Sequence, residues 1–312
     1  MEHLKMNQSN PNKPKITAIL GMKGAGKDTY FQIVSNNNKD SFATSFAPAQ
    51  VMFAGALKEV AQILFPDVDI EDRVIKETKR TFDTLEVDTT VRQWTLDFFK
   101  KMNYPIANHE PAVSARFFKT YGFTDAIGEQ RPTINISPRD VSLYMGSVDW
   151  LRIHPDVTDL IGKYAIKTAK ELAKTSAGVF FTDVRFPVEV AAINNDLALD
   201  SEAEVDVEYV LVVRYQTLDD GTHKIKLSDK LSYTDHITEH MNNELTQLAI
   251  QAYNEYVNPA CVIQDKLLSM LGIEDVDAAS FAALPHQSST QFKVSVVFNK
   301  ENEGEFTEIF SV

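Results

Sequence analysis

Along the 312-residue chain, short unbroken runs of apolar residues alternate with longer stretches in which apolar positions return every three or four residues. The first run, 16–20 (ITAIL), stops at Gly21, and its lack of polar alternation predicts a strand buried on both faces that feeds a tight turn. From Lys27 the apolar positions are Tyr30, Phe31 and Val34, a helical spacing, with Asp28 in the first turn where the helix dipole favours an acid. The Asn-rich stretch NNNKD ends that helix. SFATSFA (41–47) reads as a second strand, and 51–65 (VMFAGALKEVAQILF) as an amphipathic helix closed before Pro66.

From 66 to about 155 the sequence is charged, aromatic and helical in period, without the short β-branched runs that would extend a parallel sheet, which predicts an inserted helical region. Strand signals return at 179–183 (VFFTD), a helix follows at 187–194, and 208–215 (EYVLVVRY) completes a β-α-β unit. Residues 241–256 and 261–271 have helical spacing, and the tail QFKVSVVF, NKENEG, EFTEIFSV predicts two alternating strands around a polar turn. The expected organisation is therefore α/β. A domain at 15–275 with a parallel sheet flanked by helices carries the insertion at about 66–155, a C-terminal β-hairpin is appended at 276–312, and 1–14 is a flexible tail. No internal repeat or long low-complexity segment interrupts this pattern.

Composition narrows the chemistry. The 44% hydrophobic content suffices for a sizeable core. A formal net charge of -13 repels nucleic-acid backbone, so no nucleic-acid polymer is expected as partner, and any bound phosphate must be held by a local cluster of amides, Lys and Arg. Cys261 is the only cysteine, which excludes an intramolecular disulfide and a thiolate zinc site and fits a reducing cytoplasm. The first fifteen residues lack the apolar core of a secretion signal and no later run is apolar enough to span a bilayer, so a cytoplasmic protein without a membrane partner is expected.

Between the first strand and first helix lies GMKGAGKDT, 21–29, the context in which a phosphate-loop motif carries meaning. Gly21, Gly24 and Gly26, with Ala25 between the last two, let successive amide N–H groups turn toward an anion at the helix N-terminus. Lys27 supplies a cation for β- and γ-phosphates. Asp28 stands where Ser or Thr usually meets magnesium, so Thr29, one residue later, is assigned to phosphate or metal contact and Asp28 to helix capping or a metal-bound water. The same offset is seen in nucleoside monophosphate kinases such as adenylate kinase.

A second group of residues closes the strand GVFFTD. Asp183 at its end is placed to hold magnesium through a water, and parallel-sheet proteins bind ligands at this edge. Arg185 presents a planar fork suited to a phosphate, and Glu189 on the next helix either orients Arg185 or touches an acceptor's sugar. The series Arg73, Lys76, Lys79 and Arg80 reads equally as a grip for an acceptor phosphate and as a solvated helix face. His236 lies near a nucleotide or makes a structural hydrogen bond, and His109, His154 and His240 have no metal-ligand spacing.

These pieces, in order, resemble the bacteriophage-type deoxynucleoside monophosphate kinase family: GMKGAGKDT, FAGALKEV, SPRDVSLYMGS at 137–147, TDVRFPVEV at 182–190 and DHITEH at 235–240. The resemblance covers roughly 15–255, is weak between 66 and 133, and is absent from the last fifty or so residues. It departs at Thr158, where family members often carry Trp, and in the acidic stretch 200–206. It implies a P-loop NTPase, three-layer fold of the nucleoside monophosphate kinase kind, with a helical NMP-binding and lid insertion. It also implies ATP and Mg2+ as donor and a dNMP as acceptor, giving dNDP and ADP for phage DNA synthesis. Lys23 is then an acceptor-side phosphate ligand, Arg139 one of the arginines that close on the phosphates, and Asp183, Arg185 and Glu189 fall on the acceptor-side segment. Two alternatives stay open: a P-loop kinase of another small phosphorylated metabolite, phosphomevalonate-like, and a non-catalytic nucleotide-binding structural or regulatory protein. A homodimer formed through the hairpin edge stays open as well.

Overall fold

The computed structural model describes residues 15–39, 47–70, 72, 74–104, 133–145, 155–198, 206–226, 239–272, 293–300 and 306–312. The chain divides into two compact units, Met1–Phe53 with Ile166–Val312, and Ala54–Ala165.

The larger unit is built on a seven-stranded sheet with β1 (Lys15–Leu20) at its heart. β1 pairs in parallel with β5 (Val179–Phe181) on one side and with β6 (Asp206–Thr217) on the other. Beyond β5 lies β2 (Ala49–Val51), also parallel, and beyond β6 lies β8 (Lys293–Lys300), parallel along eight residues. Two antiparallel strands finish it: β9 (Phe306–Ser311) against β8, and β7 (His223–Ile225) against the end of β6. Ile16 to Leu20 of β1 and Tyr209 to Val213 of β6 are buried on both faces, which is why they read as solid apolar runs rather than alternation. One polar stitch crosses three strands: Glu208 takes an ion pair from Lys15 at 2.7 Å and a hydrogen bond from the Ser295 hydroxyl at 3.0 Å.

Among the described residues, this unit contains α1 (Lys27–Lys39), the second part of α5 (Pro155–Ala173), the short α6 (Pro187–Ala192), which runs on into a π-helical turn at Ile193–Ala198, α7 (His240–Asn254) and α8 (Pro259–Met270). The chain is thus α/β, with a mostly parallel mixed sheet flanked by helices. No helix among the described residues is long and apolar enough to cross a membrane.

One expectation about the sheet changes, and another falls almost wholly outside the described residues. Segment 276–312, expected as an appended hairpin, carries the antiparallel pair β8–β9, but β8 also pairs along the edge of β6 and so belongs to the main sheet, with Val294, Val296 and Val297 buried. The strand expected at 41–47 lies almost wholly outside the described residues, and the described edge strand is β2, a few residues later.

The smaller unit packs α2 (Gly55–Leu64), α3 (Thr84–Lys101), α4 (Pro138–Met145) and the first part of α5 (Pro155–Ala173) around an aromatic core of Phe65, Trp94, Phe98 and Phe99. Asp83 caps α3, accepting the N–H groups of Leu85 at 2.8 Å and Glu86 at 3.3 Å. The region, expected to be mostly helical, also holds two short strands. β3 (Arg80–Asp83) and β4 (Thr133–Ile136) form an antiparallel ribbon, and each is too short for its alternation to stand out. Within this unit Arg80 pairs with Asp67 at 2.7 Å and Lys79 with Asp140 at 3.7 Å. Arg73 and the side chain of Lys76 lie outside the described residues.

Candidate functional site

The sheet delivers two chain ends side by side, because β1 and β5 are neighbours and parallel and both stop at the same edge. The glycine loop leaves β1 there. Gly21 has φ +131°, and a Cβ at this position would lie 2.4 Å from the Val212 carbonyl oxygen on β6, so only glycine lets the chain turn this close to the sheet. Gly26, at φ +101°, meets Asn299 in the same way, with 2.7 Å between a notional Cβ and Nδ2.

The loop is pinned through its carbonyls. Ala25 N–H donates to Met22 O at 3.1 Å and closes the turn. The amide of Asn299 on β8 donates to Ala25 O at 2.9 Å, and Arg214 on β6 donates to Gly24 O at 3.4 Å. The first-turn N–H groups of α1 have no acceptor within the helix, the arrangement that lets a helix N-terminus receive an anion. Lys27 folds back across the loop, its Nζ donating to Gly21 O and to Met22 O. Burial and the neighbouring charge of Arg185 lower its pKa to about 8, against the opposing pull of Glu239, Asp28 and Asp183.

At the end of β5 Asp183 is only 8% exposed, and its carboxylate accepts the Phe53 N–H at 2.8 Å. Arg185 follows two residues on, and its Nη1 lies 3.9 Å from Glu239. Glu189 does not turn to the Arg185 guanidinium. Its carboxylate reaches back over the first turn of α6 and accepts the main-chain N–H of Arg185 at 2.6 Å and of Phe186 at 3.1 Å. Burial and the charge of Asp183 push its pKa up, while those two N–H bonds favour the ionised form.

Of the residues singled out from sequence, Gly21, Lys23, Gly24, Ala25, Gly26, Lys27, Asp28 and Thr29 share the loop and first turn of α1, and Asp183, Arg185 and Glu189 share the adjacent strand end. Lys27 feels the charges of both Arg185 and Asp183. Asp28 and Thr29 are exposed. Arg139 belongs to α4 of the other unit, where it pairs with Glu77. His236 lies outside the described residues, and His240 opens α7.

Four participants were not legible as such: Asn242, Glu239, Asn299 and Arg214. Asn242, wholly buried, accepts the Gly21 N–H at 3.1 Å and donates to Val184 O at 3.0 Å, so one side chain ties the glycine loop to the end of β5. A signal existed. Asn242 and Thr246 sit on the stripe of α7 occupied by Met241, Leu245, Ala249 and Ile250, and a polar pair on an apolar stripe demands partners.

Hard oxygen donors of the kind a magnesium ion takes are present in the Thr29 hydroxyl and the Asp183 carboxylate. Among the described residues no group of three or more His, Cys, Asp or Glu is placed to hold a metal. No protein-family model matches the chain, and no curated protein matches it significantly.

Proposed function

We propose that this protein is a P-loop nucleoside monophosphate kinase that transfers the γ-phosphate of ATP to a deoxynucleoside monophosphate. The observation that carries the reading is the pairing of a strand, glycine loop and helix, with Lys27 folded over the loop, against a neighbouring strand end that bears Asp183 and Arg185. The finer fold class, a three-layer P-loop NTPase, belongs to the same proposal.

The chemistry asks little of the protein beyond placement and charge. The acceptor is a phosphate oxygen, ionised near neutrality because the second pKa of a phosphomonoester is about 6, so no general base is needed. Two highly charged groups must instead be brought together in line. The α1 amides hold the phosphate tail, and Lys27 moves from the Gly21 and Met22 carbonyls onto it. Arg185 neutralises the acceptor or the transferred group. Glu189 acts from beneath, fixing the backbone of Arg185. Asp183 and Thr29 would hold Mg2+, which when bound supplies charge neutralisation across the phosphates.

Lys27→Ala tests this assignment. Phosphoryl transfer is expected to drop by about 100-fold or more, the scale for removing one donor aimed at developing charge, with thermal unfolding no worse than wild type. Wild-type turnover in the variant would remove the loop from the reaction.

A further inference from the structure

Glu239 is a buried carboxylate with no task in that reaction. It immediately precedes α7, the usual place for a capping side chain, yet it makes no cap bond to its own helix. Its side chain is 7% exposed and faces the glycine loop instead: Oε2 accepts the Lys23 N–H at 3.0 Å, and Oε1 lies 3.9 Å from Arg185 Nη1. Its charge also supports the ammonium form of Lys27. A loop amide and a guanidinium therefore face one internal anion whose charge the Lys27 ammonium also feels, and these are the three donor types a phosphate would use.

We infer that Glu239 is the internal counter-anion of this site: without ligand it holds the Lys23 amide and Arg185 in place, and an incoming phosphate competes with it for them. The inference rests on the phosphate-binding reading of the loop and deepens it by naming the residue that sets phosphate affinity. The physical reason is double. Two cations and a helix N-terminus crowded together without an anion would repel one another, so the carboxylate organises the empty site. Once phosphate arrives, the same carboxylate is a like charge at short range and opposes it.

The direction of the effect separates this role from a structural one, because loss of a support weakens binding whereas loss of a competitor strengthens it. Glu239→Gln keeps the length and an oxygen for the Lys23 N–H but removes the charge. Glu239→Asp withdraws the charge by one methylene. Glu244→Gln makes the same formal change on the exposed side of α7, where Glu244 pairs with Lys266 at 2.7 Å.

The probe is inorganic pyrophosphate, titrated calorimetrically without divalent metal. A charge at this range shifts equilibria by about one to three decades, and the 40% exposure of Arg185 sets the expectation at the lower end. Glu239→Gln should bind about tenfold more tightly, Glu239→Asp more tightly by a smaller factor, and Glu244→Gln like wild type. Equal or weaker binding in Glu239→Gln overturns the inference while leaving the phosphate loop intact. If the Gln variant fails to fold, Glu239→Asp decides by the same sign. No binding to wild type or to either Glu239 variant overturns the phosphate-binding reading itself, and the inference with it.

Discussion

Lys27 offers a prediction whose size follows from its surroundings. Burial and Arg185 hold its pKa at about 8, so the empty site loses its ammonium within an accessible range. A bound triphosphate needs that ammonium and restores it, so binding above pH 8 takes up a proton. The charged fraction falls from about nine-tenths at pH 7 to about one-tenth at pH 9, and the apparent affinity for ATP should fall about tenfold between them. ATP stays fully ionised over most of this range, its last phosphate pKa being about 6. Glu189, whose pKa burial and the charge of Asp183 push up, would on ionising weaken binding in the same direction. Lys27→Met separates the two, since whatever slope remains in the variant is not the lysine's. Calorimetry in buffers of different ionisation heat reads proton uptake directly. An affinity flat between pH 7 and 9, or one whose slope is the same in Lys27→Met, would refute the reasoning. Stability has its own sign. The folded pKa lies below the unfolded 10.5, so the buried ammonium destabilises the fold below pH 8 and this penalty fades as pH rises from 8 toward 10.5. Lys27→Met should therefore be more stable than wild type at pH 7, with the difference shrinking through that window.

Asn242→Ala leaves the Gly21 N–H and the Val184 carbonyl without their partner, and should cost about 2–4 kcal/mol in denaturant unfolding together with a loss of ATP affinity. Unchanged stability would show that the amide does not join loop to strand. Gly21→Ala forces a Cβ to 2.4 Å from the Val212 carbonyl at a positive φ, so a drop of at least about 3 kcal/mol or loss of soluble protein is expected. A wild-type melting temperature there would contradict the observed turn.

The glycine loop and the end of β5 were readable because each is marked locally: ITAIL and VFFTD are apolar runs stopped by a residue type with a special role, Gly21 in one case and Asp183 in the other. β8 was readable as a strand but not as a member of the main sheet. KVSVVF carries nothing that names its partner, and the pairing with β6 joins residues about 85 positions apart along the chain. The same holds for the residues around the loop. Glu239 bonds the Lys23 amide across 216 positions and Asn299 bonds Ala25 across 274, so their roles exist only after the chain has closed on itself. Glu189 shows the reverse. Its place on the helix after Arg185 suggested that it orients Arg185 or touches an acceptor's sugar, and at the start of α6 its carboxylate accepts the main-chain N–H of Arg185. Arg139 was drawn from family resemblance alone, and its described partner is Glu77.

The most direct test follows the label from γ-labelled ATP, with Mg2+, into dTMP, dGMP, dCMP, dAMP, hydroxymethylated dCMP and the ribonucleoside monophosphates, each resolved as its diphosphate. Label transferred to at least one deoxynucleoside diphosphate, and lost in Lys27→Ala, is the expected result. ATP binding with no label in any monophosphate acceptor would contradict the account and leave a nucleotide-binding protein that does not catalyse the transfer.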